Sequence, residues 1–101
     1  MPSFSLKRFN MKYKVIKYGA SWCQQCKLQD KEFERNPLKC SLHKVDVDEL
    51  EDMEIESLNL KSIPVTILCI YEDEAALWTE IHRWVGFVKT EEINKIIDNH
   101  G

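Results

Sequence analysis

The sequence predicts a single α/β domain in which helices flank a four-stranded mixed sheet, in the order β-α-β-α-β-β-α. Stretches rich in β-branched and aromatic residues alternate with stretches of helix-forming residues, and a β-α-β start implies parallel strands joined by a right-handed crossover. Two further strands separated by a short polar turn predict an antiparallel hairpin in the same sheet. A length of 101 residues suits one compact domain and is too short for two.

The first half of the predicted domain is a strand, a helix and a second strand. Residues 13–20 are rich in β-branched and aromatic side chains, as strands are. Residues 23–36 contain neither glycine nor proline and favour a helix, which Pro37 ends because the residue before a proline is pushed away from helical angles. Residues 41–47 alternate in part between apolar and polar side chains, which predicts a half-buried strand.

The second half contains a helix, the hairpin and a last helix. Asp48 is expected to cap the first of these helices, with Glu51 three residues later completing a capping box. Residues 64–71 and 76–85 predict the two hairpin strands, and Gly86 after them suggests a bulge or a close approach of two backbones. Isoleucines at helical spacing follow Thr90 and predict the last helix.

Composition argues against several classes of protein. Fourteen basic and seventeen acidic residues give a net charge of -3, whereas a nucleic-acid binder usually has a basic excess, so no nucleic-acid partner is expected. No apolar run approaches the roughly 18 residues of a membrane span, so no membrane partner is expected. Residues 1–11 lack the apolar region of a secretory signal and show no periodicity. They are expected to be a flexible leader before a domain formed by residues 12–101.

One segment is strongly acidic. Between Asp46 and Glu56 there are seven carboxylates and no basic residue, while the rest of the chain has ten acidic and fourteen basic residues. The simpler interpretation is a solvated helix face. The alternative is an acidic surface that faces a basic partner.

The pair Cys23 and Cys26 lies at a predicted strand-to-helix junction. The first turn of a helix has backbone N–H groups without intrahelical partners, and these groups stabilise a thiolate. Cys23 is therefore expected to be the exposed nucleophile, and Cys26 the more buried thiol that resolves a mixed disulfide. Half of a zinc site is the alternative, but Cys40 and Cys69 are 29 positions apart and do not form a second close pair, so no metal is expected.

The two remaining cysteines are read as isolated thiols. Cys69 lies in the middle of an apolar strand and is expected in the core. Cys40 follows the helix-ending segment Pro37-Leu38-Lys39 and is expected to be partly exposed, as a secondary site of oxidation. One close pair and two isolated thiols predict a cytoplasmic protein rather than a secreted disulfide scaffold.

Residues 21–27 (Ser-Trp-Cys-Gln-Gln-Cys-Lys) resemble the thioredoxin active site, which typically reads Trp-Cys-Gly-Pro-Cys-Lys. The resemblance covers about residues 13–99 and implies a thioredoxin-like fold with a short N-terminus. Ile63-Pro64 matches the family's Ile-Pro pair, in which the proline is cis and lies across from the dithiol. Val85-Gly86 matches the glycine after the last strand, and Lys44 matches a lysine near the site.

The resemblance implies a thioredoxin-like thiol–disulfide oxidoreductase that exchanges disulfides of protein substrates through the dithiol. It also implies electrons from a reductase or another dithiol donor, no bound cofactor and a monomer. Five residues would form the substrate-binding surface: Trp22, Ile63, Pro64, Val85 and Gly86. Two alternatives stay open, a redox-sensing or redox-inert binding module that uses the same surface and a glutaredoxin-like, glutathione-dependent reductase. Glutaredoxins typically have Cys-Pro-Tyr-Cys and a Gly-Gly pair, which this chain lacks.

Three positions depart from the thioredoxin pattern. Gln24-Gln25 replaces Gly-Pro between the cysteines, and Lys31 replaces a proline that kinks the helix. Lys17 stands where most thioredoxins bury an aspartate. Its side chain either extends to solvent along its apolar stem or is a cation that lowers the pKa of a thiol. Lys17 and Lys44 are therefore candidate modulators of thiol pKa.

Overall fold

The computed structural model describes residues 12–100 as one four-stranded sheet with three α-helices. The elements in chain order are β1 (Tyr13–Gly19), α1 (Gln24–Arg35), β2 (Ser41–Asp46), a 3-10 helix (Val47–Glu49), α2 (Asp52–Ser57), β3 (Val65–Glu72), β4 (Leu77–Val85) and α3 (Thr90–His100). The predicted order of strands and α-helices is confirmed. The predicted leader, residues 1–11, lies outside the described residues, so the domain boundary at residue 12 stays a prediction.

The sheet is mixed and has the order β2-β1-β3-β4. β1 is parallel to β2 and antiparallel to β3, and β3 and β4 form the predicted antiparallel hairpin. The register places Lys17 of β1 between Lys44 of β2 and Thr66 of β3. The irregularity in the hairpin falls at Leu68 and Cys69.

Successive side chains of a strand point to opposite faces of the sheet, so the apolar core is divided between the two faces. On one face, Val15 and Leu68 pack with Phe33 of α1 and Ile93 of α3. On the other face, the core contains Ile67 and is covered by residues around α2. Lys17 has the same parity as Val15 along β1, so it lies on the face that α1 covers.

The beginning of α2 corrects a sequence prediction. Asp48 does not cap this helix: it lies in the 3-10 helix, and its N–H donates to the side chain of Asp46 at 2.9 Å. The N-cap of α2 is Glu51, which forms a capping box with Glu54. The capping box exists, but it starts three residues later because a 3-10 turn first redirects the chain.

No helix within residues 12–100 is long and apolar enough to cross a membrane.

Candidate active site

Cys23 and Cys26 form a disulfide at the junction of β1 and α1, with their Cα atoms 5.2 Å apart. Cys23 is the N-cap of α1 in an extended conformation, and its Sγ accepts a hydrogen bond from the Cys26 N–H at 3.1 Å. A cysteine sulfur therefore occupies the place of the usual Ser, Thr or Asp cap. In the reduced protein, the same N–H and the helix dipole stabilise a Cys23 thiolate.

The two sulfur-bearing residues differ in burial. Cys26 is 1% exposed and Cys23 is 8% exposed. The sequence-based expectation of an exposed Cys23 is wrong in degree, since both residues pack with Ala20, Val47 and Ile63. Cys23 is nevertheless the more accessible of the two.

The Ile63–Pro64 segment and Gly86 lie beside Cys23. The Ile63–Pro64 peptide bond is cis, and the carbonyl oxygen of Ile63 lies 3.9 Å from Cys23 Sγ. The carbonyl of Pro64 accepts a hydrogen bond from the Gly86 N–H at 2.8 Å, which is a close approach of two backbones. Gly86 has φ of 92°, a conformation that glycine adopts without the cost of a Cβ.

An apolar rim surrounds these backbone groups. Trp22 is 66% exposed and Val85 67% exposed, and Phe87 next to Gly86 is also exposed. The indole N–H of Trp22 donates to Asp48 Oδ2 at 2.9 Å, which fixes the orientation of the ring. A shallow groove of about 200 Å³ is lined in part by Trp22 and Ile63, which neighbour Cys23, and extends to Ile55 of α2. Sequence reasoning missed Phe87, although its position directly after Gly86 was a usable signal.

Lys17 lies beneath the disulfide. It is 5% exposed, and its Nζ lies 2.9 Å from Asp30 Oδ1. The interpretation in which Lys17 extends to solvent is therefore wrong. A Cβ placed on Gly19 would lie 2.9 Å from Lys17 Nζ and 3.0 Å from Cys26 Sγ, so these two atoms are within about 6 Å of each other.

Asp30 is a site residue that sequence reasoning missed. It lies four positions after Cys26 and therefore on the same face of α1. Its Oδ1 also lies 3.5 Å from Nζ of the half-exposed Lys44. A lysine predicted on a buried face requires a carboxylate nearby, and this requirement was the signal that could have identified Asp30. A cavity of about 240 Å³ opens beside Lys17, Asp30 and Lys44.

Cys40 and Cys69 are free thiols and both are buried, at 4% and 6% exposure. The expectation of a partly exposed Cys40 is wrong, because the residue packs in the core with Phe33 and Ile93. Burial raises the pKa of the Cys40 thiol to about 12. Burial also raises the pKa of Cys69, which lies in the core on the other face of the sheet, as predicted.

The described part of the chain contains no group of three or more His, Cys, Asp or Glu side chains placed to hold a metal ion.

No protein-family model and no curated protein matches the chain. Among solved structures, thioredoxin-2 of the malaria parasite, described as a component of the parasite's protein secretion machinery, is 29% identical with a TM-score of 0.65; the match covers 90% of this chain and 87% of that one. A Plasmodium falciparum thioredoxin is 23% identical with a TM-score of 0.67, over 94% of this chain and 76% of that one. Trichomonas vaginalis thioredoxin is 20% identical with a TM-score of 0.68, over 88% and 79%.

Proposed function

We propose that this chain, which has the thioredoxin fold, is a thiol–disulfide oxidoreductase that exchanges disulfides with protein substrates through Cys23 and Cys26. The observation that carries the proposal is the position of the cysteine pair. The Cys23 sulfur caps α1 and lies beside the backbone of Ile63, and Trp22, next to Cys23 in the chain, belongs to the exposed apolar rim. A folded protein substrate needs such an open, apolar rim, whereas a small molecule is usually enclosed in a pocket.

The proposed reaction has two steps. The Cys23 thiolate attacks one sulfur of the substrate disulfide, which forms a mixed disulfide and releases the first substrate thiolate. The Cys26 thiolate then attacks Cys23 Sγ, which closes the Cys23–Cys26 disulfide and releases the second substrate thiolate. The Ile63 backbone faces the reacting sulfur and can pair with an extended substrate segment as an added strand.

The remaining parts of the proposal follow from the sequence. The oxidised pair receives two electrons from a reductase or another dithiol donor, without a bound cofactor. The protein acts as a monomer in the cytoplasm, a compartment where isolated thiols such as Cys40 and Cys69 stay reduced.

Reduction of insulin disulfides with dithiothreitol as electron donor tests this function. We expect turnover by the unaltered protein and none by Cys23→Ser, which lacks the nucleophile. Cys26→Ser should accumulate mixed disulfides with substrate, visible on non-reducing gels, because the resolving thiol is missing. Cys69→Ala, which leaves the dithiol intact, serves as the control and should retain turnover.

Three results would contradict parts of the proposal. Full turnover by Cys26→Ser without trapped adducts would mean that the roles of the two thiols are misassigned. Binding of partners without any disulfide reduction would favour a redox-inert binding module. Activity that requires glutathione and is confined to glutathione mixed disulfides would favour a glutaredoxin-like enzyme.

A further inference from the structure

A buried ammonium group close to a redox-active sulfur is an unusual feature of this site. Lys17 is 5% exposed and lies on the underside of the disulfide. Burying an ammonium group costs free energy unless it is paired with an anion. Asp30 provides that anion at 2.9 Å, so the buried ammonium group of Lys17 is paired within the fold.

The environment of the pair fixes the sign of the local charge. Lys44 Nζ approaches the same carboxylate oxygen at 3.5 Å, so two ammonium groups share one carboxylate and the cluster carries a net positive charge. Lys27 and Asp46 also line the adjacent cavity and contribute one charge of each sign. Cys26 Sγ therefore faces a positive cluster that contains contributions from β1, α1 and β2.

Gly19 permits this approach. A Cβ at this position would lie 2.9 Å from Lys17 Nζ and 3.0 Å from Cys26 Sγ, closer than side-chain carbons normally come. Any larger residue would force the end of the Lys17 side chain or the sulfur to move. Glycine is needed here for space, and the space brings a cation within about 6 Å of Cys26.

We propose that Lys17, held in place by Asp30, stabilises the thiolate of Cys26 and thereby makes the Cys23–Cys26 disulfide more oxidising than it would be without this cation. When a donor thiolate attacks Cys23 Sγ, a new S–S bond forms between them and the Cys23–Cys26 bond breaks. The bonding electron pair leaves with Cys26 Sγ as a thiolate, and the Lys17 ammonium stabilises this anion electrostatically. Attack by a second donor thiol then releases Cys23 and completes a two-electron reduction.

The consequence concerns both equilibrium and rate. A stabilised Cys26 thiolate favours the dithiol form over the disulfide, so the disulfide oxidises partners more readily. It is also a better leaving group, so reduction of the disulfide is faster. Asp30 acts through Lys17 and is a positioning residue. The inference rests on the proposed function, since it concerns the same dithiol.

The first experiment measures the equilibrium of the Cys23–Cys26 pair against glutathione and the rate of its reduction by dithiothreitol at pH 7. In Lys17→Met we expect the equilibrium to shift about tenfold towards the disulfide, equivalent to one pKa unit in the stability of the thiolate. Lys44→Met should shift the equilibrium in the same direction but by less, because the ammonium group of Lys44 is half-exposed and screened by water. Lys31→Met, which removes an exposed charge on the outer side of α1, is the matched control and should behave like the unaltered protein.

The second experiment separates an electrostatic role from a structural one. The double variant Lys17→Asp/Asp30→Lys retains an ion pair but places a carboxylate next to Cys26 Sγ. We expect it to shift the equilibrium towards the disulfide further than Lys17→Met does. An equilibrium equal to that of the unaltered protein, in Lys17→Met or in the double variant, would overturn the proposal.

The outcome of these two measurements does not depend on whether the protein reduces insulin. They use only glutathione and dithiothreitol, so they remain valid if insulin is not reduced. Should Lys17→Met fail to fold, the half-exposed Lys44 still provides a variant whose shift in equilibrium supports the proposal and whose lack of a shift contradicts it.

Discussion

Cys40 shows how tertiary contacts determine the chemistry of a single residue. The residues just before it follow the end of a helix and are only partly buried, yet α3 packs over this segment: Asn94 accepts a hydrogen bond from the Lys39 N–H at 3.0 Å, and Asp98 pairs with the Lys39 side chain at 2.7 Å. The thiol is removed from water, and its pKa rises from an ordinary value of 9.0 to about 12. An inert, protonated thiol results.

We predict that Cys40 makes the protein less stable at alkaline pH. Below pH 9 the thiol is protonated in both the folded and the unfolded states, so it contributes no pH dependence. Between about pH 9 and 12 it stays protonated when folded and loses its proton when unfolded. The free energy of unfolding therefore falls with rising pH, by at most about 1.4 kcal/mol per pH unit from this residue.

Urea unfolding of the oxidised protein between pH 8 and 10.5 measures this effect. Tyr13, Tyr18 and Cys69 also have pKa values raised by burial and contribute in the same direction. The comparison with Cys40→Ala isolates Cys40, because this variant should show a shallower decline. Rapid labelling of Cys40 by a thiol reagent in the folded protein at pH 8 would contradict the predicted burial.

Two features of single residues, the burial of Cys40 and the ion-pair partner of Lys17, could not be predicted from the sequence, and the physical reason is the same for both. Local composition identified the dithiol, because a helix N-terminus after a strand is a local property. The burial of Cys40 and the partner of Lys17 depend on which helix covers which strand, and the polarity of neighbouring residues does not report this. The Lys17–Asp30 pair joins β1 to α1 across 13 positions of sequence.

At the scale of elements, α1 holds the loop that carries Gly86. Gln29 is fully buried and binds both backbone groups of Val88: its amide donates to the carbonyl at 2.8 Å, and its oxygen accepts from the N–H at 2.8 Å. Glu32 accepts a hydrogen bond from the Thr90 N–H at 2.8 Å, at the first turn of α3. Two side chains of α1 thus fix the path of the chain from β4 into α3.

The sequence predicted the limits of most elements to within one or two residues. Strands β1, β3 and β4 have dense runs of β-branched or aromatic side chains, and Pro37 and Thr90 mark helix ends. The start of α2 was less predictable, because Asp46, Asp48 and Glu51 are all suitable caps and only the geometry after β2 selects among them. Gln29 was missed because a glutamine on a helix is usually solvated.

We predict that Gln29→Leu destabilises the fold by about 2–6 kcal/mol. The change leaves the N–H and the carbonyl of Val88 buried without partners, and each unsatisfied group costs about 1–3 kcal/mol. Thermal or urea unfolding checks the prediction, with the exposed Gln24→Leu on the same helix as control. A loss below 0.5 kcal/mol would mean that water replaces the glutamine at this position.

At the scale of the whole molecule, charge is unevenly distributed around the site. The seven carboxylates of residues 46–56 lie on the end of β2, the 3-10 helix and α2. Asp48 contacts the indole of Trp22, and Ile55 of α2 lines the groove beside Trp22 and Ile63. A substrate that covers the groove therefore meets this acidic segment, whose field extends over about 10 Å at 0.1 M ionic strength.

We predict that the protein prefers substrates with basic residues near their disulfide. Two peptide disulfides that differ only in flanking Lys or Glu residues should differ in rate, the cationic one reacting roughly fivefold faster at low ionic strength. Opposite charges mainly increase the rate of encounter, so the difference should appear in kcat/KM and nearly vanish at about 1 M salt.

The double variant Glu49→Lys/Glu56→Lys should remove the preference, and it leaves the two residues of the capping box unchanged. The control Asp73→Lys/Glu74→Lys makes the same change of charge at the hairpin turn, at the opposite end of β3 from Pro64, and should leave the preference intact. Equal rates for the two peptides at low salt would show that the acidic segment is only a solvated helix face.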